Sequence, residues 1–125
     1  MEVSNLKEIS KEVLKAVDSA SEEVMQIYES GNFNIEGKQD GSPVTLADKK
    51  SHQALSSSLM SIDPNIPILS EEGDVLENTK SLFWLIDPLD GTKEFINKNG
   101  DFTVNVALIE DGVPVLGVVS APAIK

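Results

Sequence analysis

Apolar residues return at three- and four-residue steps through the first thirty positions. They are Leu6, Ile9, Val13, Ala16, Val17, Ala20, Val24, Ile27 and Tyr28, with acids and lysines filling the positions between. This period predicts one amphipathic packing helix over about 4–30, capped by Ser4 and stopped by Gly31. Glycines, Asn32, Asn34, Asp40 and Pro43 then break the pattern, while Phe33 and Ile35 alternate, which predicts a hairpin or mobile loop over 31–43. Thr45 opens a second helix, about 46–61, with Leu46, Ala47, Ala54, Leu55, Leu59 and Met60 as its apolar positions. Asp48 stands three residues after Thr45, a capping box with aspartate in the glutamate position.

From Asp63-Pro64 onward the period changes to that of strands. Ile66, Pro67, Ile68 and Leu69 run into Ser70-Glu71-Glu72-Gly73, and a polar linker over 74–81 leads to Leu82-Phe83-Trp84-Leu85-Ile86. This short, aromatic, apolar run predicts a buried strand. Pro88 has no N–H to give a ladder, so the strand is expected to stop at Asp87. Thr92 to Lys98 predicts a helical turn. Phe102, Val104, Val106 and Leu108 alternate with Thr103, Asn105 and Ala107, and Asp111-Gly112 returns the chain as a partner strand over 113–119. Helices followed by hairpin-linked strands predict an α+β fold layered on a largely antiparallel sheet. The chain ends at Lys125 directly after a strand, so an incomplete fold is expected.

Composition narrows the chemistry. The net charge is −11, and all ten basic residues are lysines, which argues against nucleic-acid binding through phosphate contacts. An acidic chain repels a phosphate ester unless bound cations reverse the local field. There is no cysteine, which excludes disulfides, thiolate nucleophiles, zinc–thiolate sites and iron–sulfur clusters. No segment approaches the ~18 apolar residues of a transmembrane helix. With a charged N-terminus from Glu2 onward, a cytoplasmic protein is expected.

Two strands end in acids, one at Glu71-Glu72 and one at Asp87. If they are neighbours, Glu71, Asp87 and Asp90 converge on one rim, with the Leu89 carbonyl as a further oxygen donor. Carboxylates beside an apolar strand are costly unless a cation neutralises them, and a hard divalent ion such as Mg²⁺ prefers oxygen ligands. Paired metals can activate water and stabilise a leaving oxygen, which implies phosphate ester hydrolysis. Gly91 and Thr92 open the turn at 92–98, where backbone N–H groups can seat a phosphate. Blander readings stand beside these. Asp87 and Asp90 suit turns and caps, Glu71 and Glu72 a solvated turn, Asp48 a helix's first turn, and His52 a helix surface or packing position.

Trp84, the run Asp87-Pro88-Leu89-Asp90-Gly91-Thr92 and the upstream Glu71-Glu72 resemble the inositol monophosphatase superfamily of Mg²⁺-dependent, lithium-sensitive phosphatases. Residues 91–96 and 99–105 resemble its 3'(2'),5'-bisphosphate nucleotidase branch. The resemblance implies a layered α/β/α/β/α sandwich of which residues 1–125 form the N-terminal, metal-binding half. It implies two or more Mg²⁺ ions held by Glu71, Asp87, the Leu89 carbonyl and Asp90, and inhibition by Li⁺. Glu71, Leu89, Asp90, Gly91 and Thr92 would face the substrate. Asp48 would pair with Thr92 to polarise the attacking water. The implied substrate is adenosine 3',5'-bisphosphate, cleaved to AMP and phosphate; inositol phosphates and fructose bisphosphate belong to the same superfamily. A second half, supplied by further sequence or another chain, would bring another aspartate and most nucleotide contacts, and a homo-oligomer is a further partner state. A haloacid-dehalogenase-like phosphotransferase fits less well, because its two aspartates are separated by one residue and here by two. An EF-hand pattern is absent, and an inactive remnant is the remaining alternative.

Overall fold

The computed structural model describes residues 3–37, 43–70 and 82–124. The acids Glu71 and Glu72 and the linker at 74–81 lie outside them. Helix α1 spans Val3–Ser30. It begins one residue before Ser4, so the expected cap falls inside the helix. At its other end Gly31 adopts φ +73°, and its N–H reaches the Ile27 carbonyl at 3.2 Å, a left-handed stop that glycine adopts without a Cβ penalty. Strands β1 (Glu36–Gly37) and β2 (Pro43–Val44) pair antiparallel, so the hairpin alternative holds over 31–43.

Helix α2 spans Leu46–Ile62, and its capping box is complete. Thr45 Oγ1 accepts the Ala47 and Asp48 N–H groups, while Asp48 Oδ2 accepts the Thr45 N–H at 2.8 Å. After it come β3 (Ile68–Ser70), β4 (Leu82–Asp90), the single turn α3 (Thr92–Ile96), β5 (Thr103–Glu110) and β6 (Val113–Ser120). The β3 strand starts two residues later than its apolar run, after Pro67, and α3 ends two residues before Lys98. Asp111 and Gly112 both take positive φ (52° and 81°), the two-residue hairpin geometry that follows the twist of the strands.

The sheet has the order β3-β4-β5-β6. Its β3–β4 pair is parallel and the other two are antiparallel. Both helices lie on one face: α1 packs on α2, β5 and β6, and α2 packs on β4. The α1 stripe Val13, Ala16, Val17, Ala20, Val24 and Ile27 meets Leu55 and Leu59 of α2 and Trp84, Ile86, Val106 and Leu108 of the sheet, all buried. Each large aliphatic side chain fully buried there contributes about 1.5–3 kcal/mol. Tyr28, Phe33, Phe95 and Phe102 form the aromatic part of the same core, with contacting ring centroids 4.7–5.2 Å apart, and anchor α3 against the end of α1. Among the described residues no helix is long and apolar enough to cross a membrane.

Candidate functional site

The carboxyl ends of β3 and β4 point the same way, because the pair is parallel with Ser70 opposite Ile86. The described part of β3 ends at Ser70, opposite Ile86, which directly precedes Asp87 in β4. β4 does not stop at Asp87 as expected; it continues to Asp90 through an irregularity. Asp87 pairs with Asn105 and Asp90 with Thr103, so three steps along β4 oppose two along β5. This is a β-bulge, and Pro88 lies in it. The extra residue of a bulge is left out of the ladder, so a residue without an N–H fits there at no cost in hydrogen bonds.

The bulge decides where the acids point. Side chains alternate across a strand, so positions 87 and 90 of a regular strand would face opposite sides of the sheet. One inserted residue reverses that parity. Their partners Asn105 and Thr103 share a face, and Asn105 Nδ2 donates to Thr103 Oγ1 at 2.9 Å. Asp87, Asp90 and Asn105 accordingly line one cleft of about 420 Å³, on the sheet face away from the helices, with Leu85, Ala107, Gly117 and Val119 as neighbours. Asp87 is half-buried and Asp90 exposed.

Gly91 follows in the left-handed region, with φ +91° and ψ 44°. A Cβ there would stand 2.7 Å from the Asp101 carbonyl oxygen, so both the backbone angle and the space require glycine. Gly91 starts α3, and its carbonyl accepts the Phe95 N–H at 2.9 Å.

Helix α2 lies on the other face of the sheet and reaches the segment 88–92 through hydrogen bonds. Asp48, Ser51, His52 and Leu55 fall on one face at helical spacing. Asp48 is 1% exposed, and its two oxygens do separate jobs. Oδ2 closes the cap of α2 with Thr45, while Oδ1 accepts the Thr92 hydroxyl at 3.0 Å. The helix-cap and Thr92-pairing readings of Asp48 are therefore both realised. Thr92 Oγ1 also lies 3.4 Å from the Leu89 carbonyl, a much weaker geometry. Ser51 Oγ donates to the Pro88 carbonyl at 2.7 Å, and His52 Nδ1 lies 3.1 Å from Ser70 Oγ. Of the two readings of His52, surface and packing, the packing one holds: it is half-buried and ties α2 to the end of β3. Ser51 and Asn105 carried no expectation. The available signals were Ser51's place one turn after Asp48, and Asn105's place as a polar residue at an outward position of an alternating strand.

The structure thus joins Asp48 to Thr92, with the Leu89 carbonyl beside that hydroxyl, and places Asp87 and Asp90 in one cleft, with Gly91 between Asp90 and Thr92 in the chain; Glu71 lies outside the described residues. Among the described residues no three His, Cys, Asp or Glu side chains form a group able to hold a metal alone. Every donor candidate is a hard oxygen, which fits a small hard cation completed by water and phosphate oxygens rather than an all-protein cage.

The chain belongs to a phosphatase family: the inositol monophosphatase family pattern matches residues 5–125. Within the family it is similar to the 3'(2'),5'-bisphosphate nucleotidase CysQ of Salmonella typhimurium, 46% identical over 119 residues that cover 92% of this chain and 48% of that protein. The crystal structure of CysQ from Bacteroides thetaiotaomicron matches with TM-score 0.76 at 40% identity, covering 92% of this chain and 42% of that one. A staphylococcal inositol monophosphatase, in a LiCl-soaked inhibitory complex, matches with TM-score 0.81 at 25% identity, covering 91% and 44%. The chain spans about half the length of the curated relatives it matches.

Proposed function

We propose that this chain is the N-terminal, metal-binding half of a cytoplasmic Mg²⁺-dependent phosphatase that converts adenosine 3',5'-bisphosphate to AMP and phosphate. The observation that carries the reading is the bulge at Pro88, which turns Asp87 and Asp90 into one cleft beside Asn105. The substrate rests on the likeness to CysQ nucleotidases. In this reading Glu71, Asp87, Asp90 and the Leu89 carbonyl hold two or more Mg²⁺ ions, and Li⁺ inhibits. Bound there, Mg²⁺ would supply Lewis-acid polarisation of the phosphate and a more acidic water.

The chain's own groups do the rest. Thr92 directs its hydroxyl hydrogen at Asp48 Oδ1, which leaves its oxygen lone pairs to accept a hydrogen bond from the attacking water. Asp48 is held by the cap of α2, so the pair keeps its orientation with no substrate present. The backbone N–H groups of Gly91 and Thr92 seat the phosphate. One turn of helix carries little macrodipole, so these N–H groups act as hydrogen-bond donors. The nucleoside contacts and a further metal ligand belong to a second half, so the chain alone is expected to bind Mg²⁺ weakly and turn over little.

Phosphate release from adenosine 3',5'-bisphosphate and from inositol monophosphate tests this, with the chain alone and joined to the C-terminal half of the Salmonella relative. Mg²⁺-dependent release by the joined protein, faster with the bisphosphate and abolished by Asp87→Asn, is expected. Release that survives chelation would refute the metal mechanism, and a preference for inositol monophosphate would refute the substrate.

A further inference from the structure

We infer that Ser51 is a positioning residue for the acidic turn of β4: its hydroxyl, donating to the Pro88 carbonyl, fixes the bulge that aims Asp87 and Asp90 into one cleft. The inference rests on the metal-site reading above and adds a residue to it.

Ser51 is fully buried, and so is the hydrogen bond, at 2.7 Å. Serine is a poor choice for a helix interior facing a core; alanine would be the ordinary small residue there. The hydroxyl is accounted for by what lies opposite. Pro88 falls between the pairs Asp87–Asn105 and Asp90–Thr103 and beyond the last β3 pair, Ser70–Ile86, so it belongs to no regular ladder register. A buried carbonyl needs a donor, and Ser51 supplies it from another element, 37 residues away. The bond fixes one peptide of the bulge to α2. That same helix holds Thr92 through Asp48, so both ends of the segment 88–92 are tied to one rigid body. Groups that orient metal ligands without touching the ion are commonly worth tenfold to a hundredfold in metal affinity.

The test uses Ser51→Ala in the 125-residue chain and two readouts. The first is amide exchange in the metal-free protein. Leu89 and Asp90 should exchange about tenfold faster or more, beyond any change at Val106 and Leu108 in the neighbouring strand. The second is Mn²⁺ titration followed by the paramagnetic resonance of the free ion, where the apparent Kd should rise about tenfold or more. Ser51→Cys, close in shape but a weak donor, takes the same measurements if the alanine variant does not fold. Equal exchange ratios in variant and wild type overturn the inference. So does faster exchange with unchanged Mn²⁺ affinity, which would make the bond structural only. A wild-type chain that binds no Mn²⁺ refutes the metal-site reading instead, and the exchange ratio then decides the positioning alone.

Discussion

Gly91 is the residue with least freedom to change. Its φ of +91° excludes ordinary side chains, and a methyl group would meet a backbone oxygen that cannot swing away. Gly91→Ala is expected to cost about 2 kcal/mol or more, read as a lower urea midpoint with an unchanged slope. Trp84 poses the opposite case. It is fully buried, yet among the described residues its indole Nε1 has no hydrogen-bond partner. A buried donor without a partner costs about 1–3 kcal/mol, so Trp84→Phe recovers part of what its smaller ring loses. The expected outcome is a loss of about 1 kcal/mol for Trp84→Phe against about 3–5 kcal/mol for Trp84→Ala, by chemical denaturation. Residue type together with its place after an apolar strand marked Asp87 and Asp90 as candidate metal ligands, because carboxylates there are costly without a cation to neutralise them. Neither revealed Ser51, whose partner is a carbonyl in a distant segment.

Among the elements, α2 combines support and function. Its first turn is closed by Thr45 and Asp48, and the same carboxylate reaches Thr92. Thr45→Ala removes the cap, with an expected loss of about 1–2 kcal/mol in stability, measured by denaturation midpoint. The amphipathic period placed both long helices to within a residue or two, since a stripe from Val13 to Ile27 leaves no alternative face to bury. The Asp111-Gly112 hairpin was equally legible. The end of β4 was not. Proline is a sound reason to stop a ladder, but a bulge offers a second solution that excuses the missing N–H and lets the strand resume. That distinction depends on the partner strand, because Asn105 and Thr103 set the register. Ser4 failed as a cap for a related reason: helix ends are weakly specified when packing of the stripe further along holds the helix.

At the scale of the molecule, the two faces of the sheet differ. One is covered by α1 and α2, while the other carries Leu85 at 43% exposure and Val119 at 69% beside the acidic cleft. Apolar surface of this kind invites association, and a net charge of −11 opposes it. Salt shortens the reach of that charge from about 10 Å at 0.1 M to about 3 Å at 1 M. The chain is therefore expected to self-associate more at high salt by sedimentation, and Val119→Lys to reduce the effect without changing its far-ultraviolet dichroism. The layered fold was readable from element order, but the parallel β3–β4 pair needed the structure, since nothing local specifies which strand a short β3 joins.

Paramagnetic line broadening by substoichiometric Mn²⁺, followed amide by amide, reports directly whether the bulge builds a cation site. Broadening centred on Asp87, Leu89–Thr92 and Asn105, and lost in both Asp87→Asn and Asp90→Asn, is the predicted result. Broadening spread evenly over the acidic surface, or centred on the acids of α1, would show that the two aspartates do not share an ion.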